Sequence, residues 1–111
     1  MKAARLTSPK HFEFVDVETP SPVDGECLIK IERVSVCGSD IRSTYGPTLP
    51  EEEYPLDPGR PCHEVAGVVT ESRTDEFEEG QRIIVIPGAG MGGLGEYIIS
   101  GPERMALLPD E

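Results

Sequence analysis

Residues Pro61–Val69 read Pro-Cys-His-Glu-Val-Ala-Gly-Val-Val, which places His63 and Glu64 directly in front of a short apolar run rich in β-branched residues. Such a run predicts a strand that enters the core. An imidazole and a carboxylate at the mouth of a strand can hold a metal ion, because the strand fixes the backbone while the side chains stay near a loop. Taken alone, such a dipeptide is more often a surface pair or a hydrogen-bonded histidine than a ligand site.

Length and composition favour a single, mainly β domain over residues 1–111. A chain of this length buries a core without disulfides but is too short for two full domains. Its 12 glycines, 11 prolines and 5% aromatic residues are typical of short elements joined by tight turns.

The charge excludes two classes of partner. There are 21 acidic and 10 basic residues, and the net charge of −11 repels both nucleic acid and an anionic membrane. The acidic clusters at Glu51–Glu53 and Asp75–Glu79 are predicted to be solvated loops.

The cysteines indicate a reducing compartment. Cys27, Cys37 and Cys62 are odd in number and lack the spacing of an extracellular disulfide framework. No apolar stretch is long enough for a signal peptide or a membrane span, so the expected location is the cytoplasm.

Apolar periodicity predicts seven short strands. The clearest alternation places Cys27, Ile29 and Ile31 on one face of a strand. Gly46–Pro61 carries five prolines and three consecutive glutamates and is predicted to be a surface loop without a strand or helix. The predicted strands are Lys2–Leu6, Phe12–Val17, Glu26–Val36, Val65–Thr70, Arg82–Ile86, Tyr97–Ile99 and Met105–Leu107.

A second polar stretch, Val-Cys-Gly-Ser-Asp at Val36–Asp40, stands where the third of these strands ends. Ser39 or Asp40 is expected to cap a short helix over about Ile41–Tyr45. A chemical role for the same side chains stays open at this point.

Gly88–Gly93 matches the Gly-x-Gly-x-x-Gly dinucleotide fingerprint in spacing alone. That fingerprint requires a helix directly after the glycines, within a βαβ unit. The residues that follow predict a short strand and a turn instead, so this segment is interpreted as a glycine loop between two strands.

Cys37, His63 and Glu64 together form a donor set suited to zinc. Thiolate and imidazole are the usual ligands of this borderline-soft ion, and an open site needs three protein groups plus water. Cys37 and His63 lie 26 positions apart, which is not a specific spacing.

The ordered motifs Val36–Asp40 and Cys62–Val69 closely resemble the N-terminal half of the zinc-dependent medium-chain alcohol dehydrogenases, whose pattern is Cys-Gly-Ser/Thr-Asp, then Gly-His-Glu, two residues and Gly. Glu79–Arg82 resembles the family's Gly-Asp-Arg turn, and Gly95–Tyr97 its Ala-Glu-Tyr strand. The resemblance covers essentially the whole chain.

The resemblance implies a GroES-like, partly open β-barrel with one or two short helical turns. It implies that Cys37 and His63 are zinc ligands and that Glu64 lies beside the metal as an occasional ligand. Ser39 would pass the proton of an alcohol toward solvent, and Asp40 would orient His63. The implied reaction is hydride transfer between a small alcohol or carbonyl substrate and NAD or NADP.

Four departures from the family pattern matter. Cys62 stands where the family has glycine; it is either a third thiolate near the metal or a tolerated small residue. Arg42 stands where many relatives carry a relay histidine. The four-cysteine structural zinc lobe is absent, with Gly88–Gly95 in its place. The nucleotide-binding domain and the third zinc ligand are expected in further polypeptide, so residues 1–111 alone are expected to be inactive.

An alternative of another class is a stand-alone GroES-like binding or co-chaperonin-like module with vestigial zinc ligands. A co-chaperonin would need a long, mobile, apolar loop, whereas Gly46–Pro61 is acidic and rich in proline. The ligand set favours the dehydrogenase domain. Neither a monomer nor an oligomer is excluded.

Overall fold

A computed structural model describes residues 1–46, 49–88 and 92–109. All seven predicted strands are confirmed, with ends that agree within two residues. The strands are β1 (Lys2–Ser8), β2 (His11–Asp16), β3 (Cys27–Ser35), β4 (Glu64–Ser72), β5 (Arg82–Val85), β6 (Tyr97–Ser100) and β7 (Met105–Leu107).

The strands form two antiparallel sheets. β1 and β2 make a hairpin, and the other five strands form one sheet in the order β6-β3-β4-β5-β7. The sheets meet where Ala3 pairs with Gly95 and where the Glu96 N–H donates to the Lys2 carbonyl at 3.2 Å. They do not close into a complete ring, which confirms the mainly β, partly open barrel.

The core lies on one face of the five-stranded sheet. Cys27 and Ile29 are fully buried, as the alternation along β3 predicted. Phe77 is also buried, so the prediction that all of Asp75–Glu79 is a solvated loop is wrong for this side chain. Burying one large apolar side chain contributes about 1.5–3 kcal/mol, which outweighs the pull of its acidic neighbours into solvent. The cluster comprises Cys27, Ile29, Val65, Val69, Phe77, Ile83, Val85 and Ile98.

β3 and β4 are the longest strands, and their pairing sets the register of the sheet. Ser35 at the end of β3 pairs with Glu64 at the start of β4. Near the middle of the pair, Gly67 lies so close to β3 that a Cβ there would collide with the Lys30 carbonyl and lie 2.9 Å from Ile29 Cγ2. The two backbones can approach this closely only because residue 67 has no side chain.

Short helical turns lie in two connections, the one between β3 and β4 and the one between β6 and β7. An α-helical turn, α1, covers Gly38–Asp40 and continues as a π-helical turn over Ile41–Tyr45. The helix therefore begins before Ile41, with Cys37 at its N-cap. Of the two residues expected to cap it, Asp40 does so from the third helical position, where its carboxylate accepts from the Cys37 N–H. A 3₁₀ turn at Glu51–Glu53 corrects the expectation that the proline-rich loop has no helical structure.

A further 3₁₀ turn covers Pro102–Arg104. Among the residues that the structure describes, no helix has the length and apolar character needed to cross a membrane.

The close approach at Gly67 makes the first prediction. Gly67→Ala should lower the free energy of unfolding by about 1–3 kcal/mol, because the new Cβ forces β3 and β4 apart. Urea denaturation measures the change. Gly88→Ala is the matched control, since its Cβ would meet only the Arg104 guanidinium at ordinary contact distance. Equal stability of the two variants would contradict the packing role of Gly67.

Candidate metal centre

The antiparallel pairing of β3 and β4 brings two distant polar stretches together. Cys37 lies two residues beyond the end of β3, and His63 lies one residue before β4. Because Ser35 pairs with Glu64, both stretches emerge at the same end of the strand pair. The register of the sheet therefore brings together Cys37 and His63, which are 26 positions apart in the sequence.

Cys37, His63 and Glu64 form a group that could hold a metal ion. The Cys37 Sγ, a His63 ring nitrogen and a Glu64 carboxylate oxygen all lie within 4.8 Å of one another. Zinc–ligand bonds of about 2.0–2.3 Å place donors around one ion within about 4 Å of each other, so small side-chain rotations suffice. Sulfur, nitrogen and oxygen donors in this arrangement fit a zinc ion.

Asp40 connects the two ligand-bearing stretches. Its carboxylate is buried; Oδ2 accepts from the Cys37 N–H at 2.8 Å, and Oδ1 accepts from the Cys62 N–H at 3.1 Å. Oδ1 also lies 3.5 Å from His63 Nδ1. One carboxylate thus faces the backbone of both stretches and one nitrogen of the candidate ligand.

The two nitrogens of His63 face different partners. With Nδ1 toward Asp40, Nε2 lies 3.8 Å from Glu64 Oε2. A carboxylate at Nδ1 holds the imidazole in the tautomer whose Nε2 lone pair is free to bind a metal. About 42% of the His63 side chain is exposed, so a ligand from solvent can reach it.

Ser39 lies at the edge of the same site. It is half-buried and lines a polar depression of about 250 Å³ together with Asp40, Thr44, Cys62 and His63. The structure therefore places all five predicted site residues at one end of the β3–β4 pair. Arg42 lies outside this lining, with its guanidinium beside Gly38.

Cys62 takes a backbone conformation suited to glycine. Its φ is +80°, a region that costs a non-glycine residue about 1–2 kcal/mol. The side chain is buried, and burial, followed by the nearby charge of Asp40, raises the pKa of the Cys62 thiol to about 11. The group of donors that lie within 4.8 Å of one another comprises Cys37, His63 and Glu64 without Cys62, which favours a tolerated small residue over a third thiolate.

Two supporting residues were missed by sequence reasoning. Thr44 is buried, and its Oγ1 donates to the Asp40 carbonyl at 2.8 Å. The Tyr54 hydroxyl donates to the carbonyls of Thr44 and Gly46 at 2.9 and 3.2 Å and ties the proline-rich loop to the helical turn. The spacing of these two residues matches no known motif. An isolated tyrosine within the proline-rich loop was the one feature of the sequence that could have drawn attention to them.

The rejected dinucleotide fingerprint, which ends at Gly93, is followed by a strand. The described residues after Gly93 lead into β6, with no helix before it, so the rejection is supported. Ala89–Met91, which belong to the same motif, lie outside the described residues.

Comparisons with known proteins indicate the family of the chain. The family model of the alcohol dehydrogenase GroES-like domain matches residues 23–110. An uncharacterized zinc-type alcohol dehydrogenase-like protein of Escherichia coli is 37% identical, over 96% of this chain and 30% of the relative. An alcohol dehydrogenase of Geobacillus stearothermophilus is 32% identical, over 95% of this chain and 31% of the relative.

A solved structure shares the fold. The crystal structure of 2R,3R-butanediol dehydrogenase from Bacillus subtilis superposes with a TM-score of 0.79 at 26% identity, covering 98% of this chain and 40% of that one. The chain spans about a third of the length of the curated relatives that it matches.

The buried carboxylate of Asp40 makes the second prediction. Asp40→Asn should lower the free energy of unfolding of the metal-free protein by about 1–3 kcal/mol, because the amide presents a donor to one of the two backbone N–H groups. Chemical denaturation measures it. Asp16→Asn, at the exposed end of β2, is the control and should change stability little. An Asp40→Asn variant as stable as that control would contradict the bridging role.

The raised pKa of Cys62 makes the third prediction. An unfolded chain loses this proton near pH 9, whereas the folded chain holds it to about pH 11. The metal-free protein should therefore lose stability as pH rises from about 9 to about 11, by on the order of 2 kcal/mol from this group.

Cys62→Ala isolates the contribution, since alanine keeps the strained φ but cannot ionise. Urea denaturation in the presence of EDTA, at several pH values, should show the difference between wild type and variant closing from pH 9 upward. A constant difference across that range would contradict the raised pKa.

Proposed function

The chain belongs to the alcohol dehydrogenase GroES-like domain family, and from that premise we propose that it is the catalytic-zinc domain of a zinc-dependent, NAD(P)-linked alcohol or polyol dehydrogenase. The observation that carries this proposal is the convergence of the Cys37, His63 and Glu64 donors within 4.8 Å. The curated relatives, named as alcohol dehydrogenases and a zinc-type alcohol dehydrogenase-like protein, support the reaction class.

Cys37 and His63 hold the zinc ion, and Glu64 lies beside it as an occasional ligand. Thiolate and imidazole are strong zinc ligands, whereas Glu64 is exposed and can turn toward solvent. The third permanent ligand and the binding site for the nicotinamide that accepts the hydride are assigned to further polypeptide, in keeping with relatives about three times as long. When bound, the zinc ion supplies Lewis acidity toward the oxygen of an alcohol or carbonyl substrate.

Asp40 positions the metal ligands. Its Oδ1 lies 3.5 Å from His63 Nδ1, so a hydrogen on Nδ1 faces Asp40 and the lone pair of Nε2 is left for the metal. The same carboxylate accepts the backbone N–H groups of Cys37 and Cys62, so both ligand-bearing stretches are held before any ion binds. Preorganisation of this kind lowers the entropic cost of assembling the site.

Ser39 Oγ relays the proton that the substrate hydroxyl loses: it accepts that proton while it gives up its own hydroxyl proton toward solvent. Ser39 is half-buried and lines the polar depression that holds His63, so its hydroxyl can exchange a proton with both substrate and solvent. Arg42 cannot act as the histidine relay of many relatives, because a guanidinium keeps its proton at neutral pH. A proton relay beyond Ser39 is therefore altered or shorter than in those relatives.

The two histidines of the chain allow a matched test, which is the fourth prediction. The wild-type protein should bind one zinc ion, and His63→Gln should weaken that binding at least about 100-fold by removing one of few ligands. His11→Gln is the control, since His11 is exposed on β2. Competition with a chromophoric chelator measures both affinities.

Cys37→Ser should weaken zinc binding in parallel and should abolish the thiolate absorption of the Co²⁺-loaded protein. Equal zinc affinity of the His63→Gln and wild-type proteins would reject the ligand assignment. A folded wild type that binds no zinc would instead favour the stand-alone binding module.

A further inference from the structure

The glycine pair Gly92-Gly93, left over from the rejected dinucleotide fingerprint, lies against the segment that leads into His63. The Gly93 N–H donates to the Cys62 carbonyl at 2.6 Å, and the Leu94 N–H donates to the Gly59 carbonyl at 3.0 Å. Residues 92–94 therefore run along the backbone of residues 59–62, immediately before the candidate ligand.

Gly92 approaches this segment more closely than any residue with a side chain could. A Cβ on Gly92 would collide with the carbonyl oxygens of Gly59 and Pro61. Both are backbone atoms, so no side-chain rotation relieves the collision. The space beside residue 92 therefore requires glycine.

The segment 59–62 cannot move freely away from Gly92. At the N-terminal end of this segment, the Gly59 N–H donates to the Ala4 carbonyl at 2.8 Å. The Ala4 N–H in turn donates to the Leu94 carbonyl at 2.7 Å. Together with the bond from Leu94 to Gly59, these form a closed ring of three backbone hydrogen bonds. At the C-terminal end of the segment, the Cys62 N–H is bound to Asp40.

We infer that Gly92 is a positioning residue for His63. The absence of a side chain at residue 92 lets residues 59–62 lie where the Cys62 N–H meets Asp40 and the His63 ring meets Cys37 and Glu64. A side chain at residue 92 pushes Pro61 outward, and the displacement passes through Cys62 to His63. The consequence for metal binding rests on the proposed zinc site, whereas the consequence for the Cys62 hydrogen bond does not.

The experiment compares Gly92→Ala with Gly95→Ala. Gly95 belongs to the same connection, but its Cβ would meet its neighbours at ordinary contact distances of 3.5 Å and more. In the metal-free protein, hydrogen exchange of the Cys62 amide, read by NMR, should be at least about tenfold faster in Gly92→Ala than in wild type. The exchange rate in Gly95→Ala should equal that of wild type.

Metal binding gives a second readout. Gly92→Ala should bind Zn²⁺ about 10–100-fold more weakly than wild type, the range found when the support of a metal ligand is lost. The Co²⁺-loaded variant should show a changed d–d spectrum, which a loss of global stability alone would not produce. Gly95→Ala should match wild type in both measurements.

Gly93→Ala keeps the test decisive if Gly92→Ala does not fold. A Cβ on Gly93 would press on methyl groups of Val65 and Val34, which are side-chain atoms, at 2.5 and 3.0 Å. Exchange of the Cys62 amide should accelerate in Gly93→Ala and return toward the wild-type rate when Val65→Ala is added to make room.

A folded Gly92→Ala protein with wild-type exchange at Cys62 and wild-type Co²⁺ spectrum would overturn the inference. If Gly92→Ala does not fold, an unchanged Cys62 exchange rate in Gly93→Ala would overturn it equally. A wild type that binds no zinc would reject the proposed metal site, and the exchange rates would still decide whether Gly92 positions the His63 segment.

Discussion

The antiparallel pairing of β3 with β4 is the constraint on which both the sheet and the candidate site depend. It places Ser35 opposite Glu64, so the polar residues beyond each strand end are neighbours in space. Gly67 permits the close approach of the two backbones, and the buried faces of both strands supply much of the core. A slip of one residue in this register would turn every side chain of one strand to the opposite face. Core and candidate metal centre therefore depend on the same register.

Asp40 carries the organisation of the site beyond the strands. A buried carboxylate is costly unless its oxygens are hydrogen-bonded, and here two backbone N–H groups and an imidazole surround it. Hydrogen bonds from Thr44 and Tyr54 stabilise the helical turn that carries Asp40, and so help to hold the Asp40 side chain in position. The site is thus built in layers, and the outer layer reaches into the proline-rich loop.

Sequence reasoning misplaced the start of the helix, the burial of Phe77 and the role of Gly92, and each has a physical explanation. The start of the helix was misplaced because Asp40 reaches back to the Cys37 N–H, and capping rules cannot distinguish this from a cap at Asp40 itself. Phe77 was assigned to a solvated loop because four acidic neighbours dominate the local pattern, whereas burial of one aromatic ring outweighs them. The role of Gly92 was hidden because a close approach between segments some 30 residues apart leaves no local pattern. For Phe77 and Gly92 the deciding partner lies far away in the sequence, outside the window that a pattern reads.

The sequence by itself determined the strands, the inward face of β3 and the residue types of the candidate centre, because periodicity and donor chemistry are local properties. It also indicated the family, because the order of the motifs along the chain can be read without a structure. Only the tertiary structure decided that Cys37, His63 and Glu64 converge, that Asp40 bridges the two stretches, and that Gly92 packs against the backbone before His63. These facts depend on sheet register and on contacts between distant segments, and such contacts exist only once the chain has folded.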